Sequence, residues 1–123
     1  MKKIEQSKED YLEAIYVLGQ KIEAVHNIDI ASFLGFSKSS VSSALKKLRQ
    51  ENLIQIDERN VISLTKEGEK VAVMMDQRHR FFTDMLIKIG VDPQIAQEDA
   101  CRMEHVISEE TFQAILEAFQ HQS

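Results

Sequence analysis

Residues 28–51 read IDIASFLGFSKSSVSSALKKLRQE, and this stretch decides the fold. Its first part, 28–34, has the length of a short helix that Gly35 ends. Ser37 is a good N-cap for a second helix. That helix is expected to run to about Glu51, and its apolar residues recur at positions i, i+3, i+4 and i+7 along one face. Two helices joined by so tight a connection predict a helix-turn-helix.

A β-hairpin is predicted directly after these two helices. Ile54 and Ile56 alternate with polar neighbours, as do Ile62 and Leu64. The polar residues 57–60 between them are typical of a hairpin tip. Together with an amphipathic helix near the N-terminus, this pattern predicts a winged helix-turn-helix.

The other predicted elements are helices. They are expected over about 7–22, 65–89, 93–106 and 109–119. Asp92 suits the N-cap and Pro93 the first position of the third of these helices. The predicted fold is therefore mainly α. It consists of an N-terminal winged helix-turn-helix DNA-binding domain over 1–64 and an all-helical domain over 65–123.

The composition fits one ordinary domain or two small ones that share a core. The chain has 123 residues, of which 43% are hydrophobic, and 4 Gly and 1 Pro indicate few loops. The single cysteine excludes an internal disulfide framework and favours the reducing cytoplasm. The N-terminal residues lack the apolar run of a signal peptide, and no segment approaches the length of a membrane span. We therefore expect a cytoplasmic protein that does not bind membranes.

The net charge of -5 is unevenly distributed along the chain. Residues 36–50 contain four cations and no acid, whereas residues 91–123 contain seven acids and one arginine. Small polar residues at the start of the second helix of the helix-turn-helix would allow a close approach to double-stranded DNA, and the cations suit phosphate contacts. The expected DNA-binding residues are Ser37, Lys38, Ser39, Ser40, Ser43, Lys46, Lys47, Arg49 and Arg59. The alternative for these residues is a solvated polar face.

A C-x-x-E-H motif, formed by Cys101, Glu104 and His105, falls in the helix expected over 93–106. Positions i, i+3 and i+4 share one face of a helix, so a thiolate, a carboxylate and an imidazole would lie side by side. These ligand types suit a transition metal, and the sulfur disfavours Mg and Ca. The alternative is a buried cysteine beside a solvated glutamate and histidine.

Two apolar surfaces in the C-terminal half predict a homodimer. The first lies on the long helix and consists of Phe81, Phe82, Met85 and Leu86. The second lies on the last helix and consists of Phe112, Ile115, Leu116 and Phe119. A small domain would struggle to bury both, so we expect them to form a helical dimer interface.

With these elements in order, the chain resembles the diphtheria toxin repressor and manganese transport regulator family of metal-activated bacterial repressors. The resemblance extends from Ser7 to Phe119 and rests on separated segments at matching intervals. These segments are EDYLEAIY at 9–16, LTKEG at 64–68, RHR at 78–80 and CRMEH at 101–105. The resemblance implies a regulator that binds a palindromic operator as a dimer when loaded with Mn or Fe and represses metal-uptake genes. Co, Ni and Zn are further possible metals.

The resemblance also implies the metal ligands, residue by residue. The implied set is Asp10, Glu13, His79, Cys101, Glu104 and His105. Asp10 and Glu13 match the first-helix carboxylates of the manganese branch of the family, whereas Cys101 matches the iron branch. Thr83 and Gln97 stand where the iron branch has two ligands of its second site. The chain is therefore a hybrid of the two branches.

A metal held by these ligands would join the DNA-binding half to the dimerisation and metal-binding half, and would shift the population toward the geometry that fits DNA. Three alternatives stay open. They are a metal-independent winged-helix regulator, a structural metal site without regulation, and a small metalloenzyme. The last is disfavoured, because so short and helical a chain supplies no separate substrate pocket. We therefore expect neither an enzyme nor a small organic substrate.

Overall fold

The structure, a computed structural model, describes residues 6–121, and the side chains of residues 7–120. Its elements are α1 (Gln6–Lys21), α2 (Asn27–Leu34), α3 (Lys38–Gln50), β1 (Ile54–Ile56), β2 (Ile62–Leu64), α4 (Lys66–Lys88), α5 (Pro93–Met103) and α6 (Glu109–His121). The predicted fold class, a winged helix-turn-helix followed by helices, is confirmed. None of the helices between residues 6 and 121 combines the length and apolar character that a membrane span needs.

The chain forms two compact units that divide between Met74 and Met75, inside α4. The sequence analysis placed a domain boundary after residue 64, at the start of that helix. The first turns of α4 belong to the first unit because Ala72 is fully buried in its core and Val71 packs against that core.

The first unit is a winged helix-turn-helix. Gly35 adopts the left-handed conformation, with φ of 74°, and ends α2. The Ser37 side chain accepts a hydrogen bond from the backbone N–H of Ser40 at 3.1 Å, which confirms the predicted cap of α3. β1 and β2 pair antiparallel, with Ile56 opposite Ile62. The most deeply buried large side chains of this core are Leu12, Ile30, Val41, Leu48 and Ile54.

The connection from the hairpin to α4 requires a glycine. The Thr65 hydroxyl caps α4 by accepting a hydrogen bond from the Gly68 N–H at 3.2 Å, and it donates to the Asn52 carbonyl at 2.8 Å. A Cβ atom on Gly68 would overlap the carbonyl oxygen of Leu53. That oxygen accepts a hydrogen bond from the Thr65 N–H at 3.1 Å. The backbone of the hairpin and the first turn of α4 therefore touch directly.

The second unit has a core of aromatic rings. Phe82 and Phe112 are buried there, and their ring centroids lie 5.7 Å apart, as do those of Phe81 and Phe112. The two apolar surfaces cover each other only in part, since Phe82 and Phe112 are buried whereas their other residues are half-buried. A groove of about 430 Å³ remains between α4 and α6. Its apolar lining consists of Phe81, Met85, Ile87, Leu116 and Phe119.

The helix that carries the C-x-x-E-H motif is shorter than predicted. Asp92 caps α5 as expected, by accepting a hydrogen bond from the Gln94 N–H at 3.1 Å. The helix ends at Met103, whereas the sequence predicted a helix to about Val106. Residues 104–106 form a turn instead. The last part of the motif therefore belongs to the connection between α5 and α6.

Candidate metal centre and nucleic-acid interface

Glu104 is a fully buried acid in contact with two histidines. Its Oε2 atom lies 3.1 Å from Nδ1 of His79 on α4, and its Oε1 atom lies 3.3 Å from Nε2 of His105. The His105 side chain is 1% exposed, and the His79 side chain is 30% exposed. The second unit thus gathers one carboxylate and two imidazoles. This donor set fits a divalent transition metal.

The pKa of His79 is raised above its ordinary value, mainly by the hydrogen bond with Glu104. Burial acts in the opposite direction, and the negative charges of Glu104 and Asp76 add to the rise. The raised pKa favours the imidazolium form, whose positive charge offsets the negative charge of the buried carboxylate. A metal needs the neutral ring, so protons and metal compete for this site.

Cys101 lies at an exposed position of α5. The alternative reading of the motif, a buried cysteine beside a solvated glutamate and histidine, is wrong, because Glu104 is the buried member. The expectation that all three side chains lie side by side also fails, since Cys101 is exposed whereas Glu104 is fully buried. In the described part of the chain, the close donor groups include Glu104 and His105 but not Cys101. The role of Cys101 as a ligand stays a prediction.

Asp10 and Glu13 lie one turn apart on α1, in the first unit. Both side chains are half-buried, and they offer carboxylate oxygens within 4.8 Å of each other. Paired carboxylate oxygens are hard ligands that suit ions such as Mn²⁺. Their role as metal ligands stays a prediction.

Arg78, to which the sequence assigned no role beyond the RHR segment, is 4% exposed in the second unit. It interrupts the apolar stripe of α4, three residues after the buried Met75 and four residues before the buried Phe82. That spacing was the available signal, because i−3 and i+4 neighbours lie on one face. A charged residue on such a face is almost always paired when it is buried.

The predicted DNA-binding residues of α3 and the hairpin tip are all exposed. Grooves run along both sides of α3. Lys47 lines one of about 370 Å³ beside α1, together with Ser40 and Ser43. The other, of about 540 Å³, lies toward the hairpin and is lined by Lys38, Lys46 and Arg49 among others. The helix therefore presents cations on both flanks, as binding along a phosphate backbone requires.

Several polar residues of this interface are held by local hydrogen bonds. The Ser37 hydroxyl lies 2.9 Å from that of Ser40 and takes part in capping α3. Asp57 shapes the hairpin tip by accepting hydrogen bonds from the N–H groups of Arg59 and Val61. Ser42, which was not among the predicted DNA-binding residues, accepts a hydrogen bond on its hydroxyl from the Asn27 side chain at 2.7 Å. This bond ties α3 to α2 at the edge of the larger groove.

The fold and the two sites define the class of metal-responsive winged-helix DNA-binding proteins. Residues 3–61 match the family model described as iron dependent repressor, N-terminal DNA binding domain. Residues 65–123 match the model described as iron dependent repressor, metal binding and dimerisation domain.

Individual relatives agree with the family models. The transcriptional regulator MntR of Escherichia coli O6:H1 is 39% identical over 106 residues, which are 86% of this chain and 68% of that protein. The diphtheria toxin repressor of Corynebacterium glutamicum is 29% identical over 118 residues, 95% of this chain and 52% of that protein. The solved structure of the manganese regulator SloR is 32% identical with a TM-score of 0.80, over 94% of this chain and 54% of that one. The chain thus spans about half the length of these last two relatives.

The chain belongs to the family of metal-dependent transcriptional repressors that includes the diphtheria toxin repressor and MntR. This confirms the resemblance found in the sequence. The family consists of transcriptional repressors and not of enzymes, so the metalloenzyme alternative is not supported.

Proposed function

We propose that this chain represses metal-uptake genes by binding a palindromic operator as a homodimer when it is loaded with Mn or Fe. One observation carries the proposal above all others. Glu104 is an entirely buried carboxylate that touches two imidazoles, and a buried charge of this kind needs a cation as its partner. The other unit exposes a basic recognition helix. A repressor acts on DNA, so this function agrees with the expected cytoplasmic location.

We propose that the metal is held by the ligand set that the family resemblance implies. Glu104 and His105, with His79 beside them, form its centre. The remaining ligands are Asp10 and Glu13 on α1 and Cys101 on α5. A bound ion would supply positive charge to this group of acids and imidazoles. Oxygen and nitrogen donors suit Mn and Fe, which the names of the relatives also indicate, whereas a thiolate would favour Fe, Co, Ni or Zn.

The proposed homodimer forms through the second unit. The groove between α4 and α6 leaves Phe81, Leu116 and Phe119 partly uncovered, and a second copy of the chain would complete their burial. Two copies would place two α3 helices at the half-sites of a palindrome, since a two-fold dimer matches a two-fold operator. A single monomeric species in sedimentation at micromolar concentration, with and without metal, would contradict this part.

Metal-dependent DNA binding tests the proposal as a whole. The protein is titrated onto the DNA upstream of its own gene under reducing conditions, with Mn, Fe, Co or Zn. Mn or Fe should raise the DNA affinity by roughly 5–150-fold, the usual range of allosteric coupling. Glu104→Gln should abolish this rise while conserving the shape of the buried side chain. Glu110→Gln, which removes an exposed acid from α6, is the matched control and should respond as the parent does.

The same experiment separates the alternatives. Tight DNA binding that no metal changes would favour a metal-independent regulator. Metal binding that stabilises the fold but leaves the DNA affinity unchanged would favour a purely structural metal site.

A further inference from the structure

The Arg78 side chain binds the turn that carries the proposed metal ligands Glu104 and His105. Its Nη1 atom donates to the carbonyl oxygen of Glu104 at 3.1 Å and to that of Ile107 at 2.8 Å. Its Nη2 atom donates to Oε1 of Glu109, at the start of α6, at 2.9 Å. One guanidinium thus binds the beginning of the turn, its end and the helix that follows.

The guanidinium is held on its other side as well. Its central carbon lies 5.2 Å from the ring centroid of Phe112, within the range of a cation–π contact. Glu109 is the charge partner of Arg78. The hydrogen bond that it accepts from Arg78 lowers the pKa of the Glu109 carboxyl below the ordinary value, which favours the charged form. Arg78 therefore occupies one fixed position, directly before His79 on α4.

The backbone of the turn is well held at Glu104 and more weakly held after it. The Glu104 N–H donates to the Ala100 carbonyl at 3.0 Å, whereas the N–H groups of His105 and Val106 donate to carbonyls three residues earlier, at 3.4 and 3.2 Å. The last two are long hydrogen bonds. The course of the turn after Glu104 therefore depends on what holds the turn from outside.

We propose that Arg78 is a positioning residue that fixes the rotation of the turn, so that Glu104 and His105 present their ligand atoms to the metal. The proposal rests on the metal site put forward above. It needs an arginine, because only a planar guanidinium reaches two carbonyl oxygens and a carboxylate at once. A lysine supplies the same charge as a single point on a flexible stem.

The test compares Arg78→Lys with two controls, each made in the whole 123-residue chain. Arg80→Lys makes the same exchange two residues further along α4, where the arginine is exposed and pairs with Asp76. Glu109→Gln removes the ion pair but leaves the two carbonyl hydrogen bonds of Arg78. Mn²⁺ affinity is measured by calorimetry, and the stability of the metal-free protein by urea unfolding.

Arg78→Lys should weaken Mn²⁺ binding by about 10–100-fold, the usual loss when a group that orients metal ligands is removed. Arg80→Lys should bind Mn²⁺ as the parent does, and Glu109→Gln should bind it more tightly than Arg78→Lys because the two carbonyl hydrogen bonds remain. If Arg78→Lys lowers only the stability and binds Mn²⁺ with the parent's affinity, Arg78 serves the fold alone and the proposal is wrong.

Two further variants keep the outcome decisive. If Arg78→Lys does not unfold cooperatively, the double variant Arg78→Met with Glu109→Gln replaces it, since it removes both charges of the ion pair and keeps an unbranched side chain at position 78. The double variant should show the same loss of Mn²⁺ affinity. Glu104→Gln tests the site itself: if it binds Mn²⁺ like the parent, the proposed metal site is wrong. If Glu104→Gln loses Mn²⁺ and the Arg78 variants keep it, only the positioning role is wrong.

Discussion

At the residue scale, the central feature is the balance of charge around Glu104. A carboxylate without solvent exposure is costly unless a positive group or a hydrogen-bond donor lies against it. His79 supplies such a donor at 3.1 Å when its ring is protonated. A divalent ion would take over that role, which makes protonation of His79 and metal binding mutually exclusive. The same contact therefore governs both the stability of the metal-free protein and its affinity for metal.

The metal-free protein should lose stability as the pH rises. The folded-state pKa of His79 is raised. The stability that protonated His79 contributes is therefore fully present below its unfolded-state pKa of about 6.5. It is lost as the pH rises through the pKa of His79 in the folded state. Urea unfolding from about pH 5.5 to about pH 8 should show this decline, and His79→Gln should flatten it. An identical pH dependence in both proteins would mean that His79 does not balance Glu104.

Cys101→Glu should shift the metal preference toward Mn, because a hard oxygen replaces a soft sulfur. Cys101→Ser is the control, since it removes the thiolate without adding a carboxylate. Calorimetric titration of both variants with Mn, Fe, Co and Zn gives the ranking. An unchanged ranking in both would place the exposed thiol outside the coordination shell.

At the element scale, α3 should act mainly through phosphates. Lys47→Ala should weaken binding to all DNA sequences similarly and reduce the slope of log affinity against log salt by roughly one unit. Lys88→Ala, at the end of α4 in the second unit, is the control and should leave the slope unchanged. Fluorescence anisotropy at several salt concentrations measures both. If Lys47→Ala keeps the parent's salt dependence, the side of α3 next to α1 does not face the phosphate backbone of the DNA.

The join between the hairpin and α4 predicts opposite effects for two glycine-to-alanine changes. Gly68→Ala should destabilise the protein by about 1–3 kcal/mol, since its Cβ would overlap the Leu53 carbonyl oxygen and force a backbone shift. Gly19→Ala, in an open position within α1, should stabilise it by about 0.5–1 kcal/mol. Urea unfolding of both variants measures the difference. If both variants change the free energy of unfolding in the same direction, the close approach of the Leu53 carbonyl to Gly68 is contradicted.

The starts of α3, α4 and α5 were predictable because their signals are local. Ser37, Thr65 and Asp92 each cap the helix that the sequence assigned to them, through side chains that reach a backbone N–H two or three residues away. The end of α5 was not predictable in the same way. No glycine or proline marks it, and the Arg78 side chain that binds the carbonyls of the turn lies 26 residues from Glu104 in sequence.

At the scale of the whole molecule, the sequence could indicate which apolar residues are buried but not what covers them. Phe81 and Phe112 have the spacing of exposed stripes on two separate helices, and they pack edge to face in one core. The candidate ligands show the same limit. Glu104 and His105 are neighbours in sequence and in space, whereas the contact between His79 and Glu104 depends on the packing of α4 against the turn.

Metal binding and DNA binding should be coupled through Asp10. If Asp10 shares the metal with Glu104 and His105, Asp10→Ala should keep part of the Mn²⁺ affinity, because the ligands of the second unit remain. It should nevertheless remove the metal-induced rise in DNA affinity, because α1 belongs to the DNA-binding unit. Glu9→Ala, which removes the neighbouring acid of α1, is the matched control and should keep the rise.

Because the coupling is reciprocal, the metal affinity tests this prediction as well as the DNA affinity. A metal that raises DNA affinity must itself bind more tightly in the presence of operator DNA, by the same factor. Calorimetry with Mn²⁺ should therefore show tighter binding with operator than without it for the parent and Glu9→Ala, and equal binding for Asp10→Ala. Tighter Mn²⁺ binding to the Asp10→Ala variant in the presence of operator would mean that the coupling runs through other residues than Asp10.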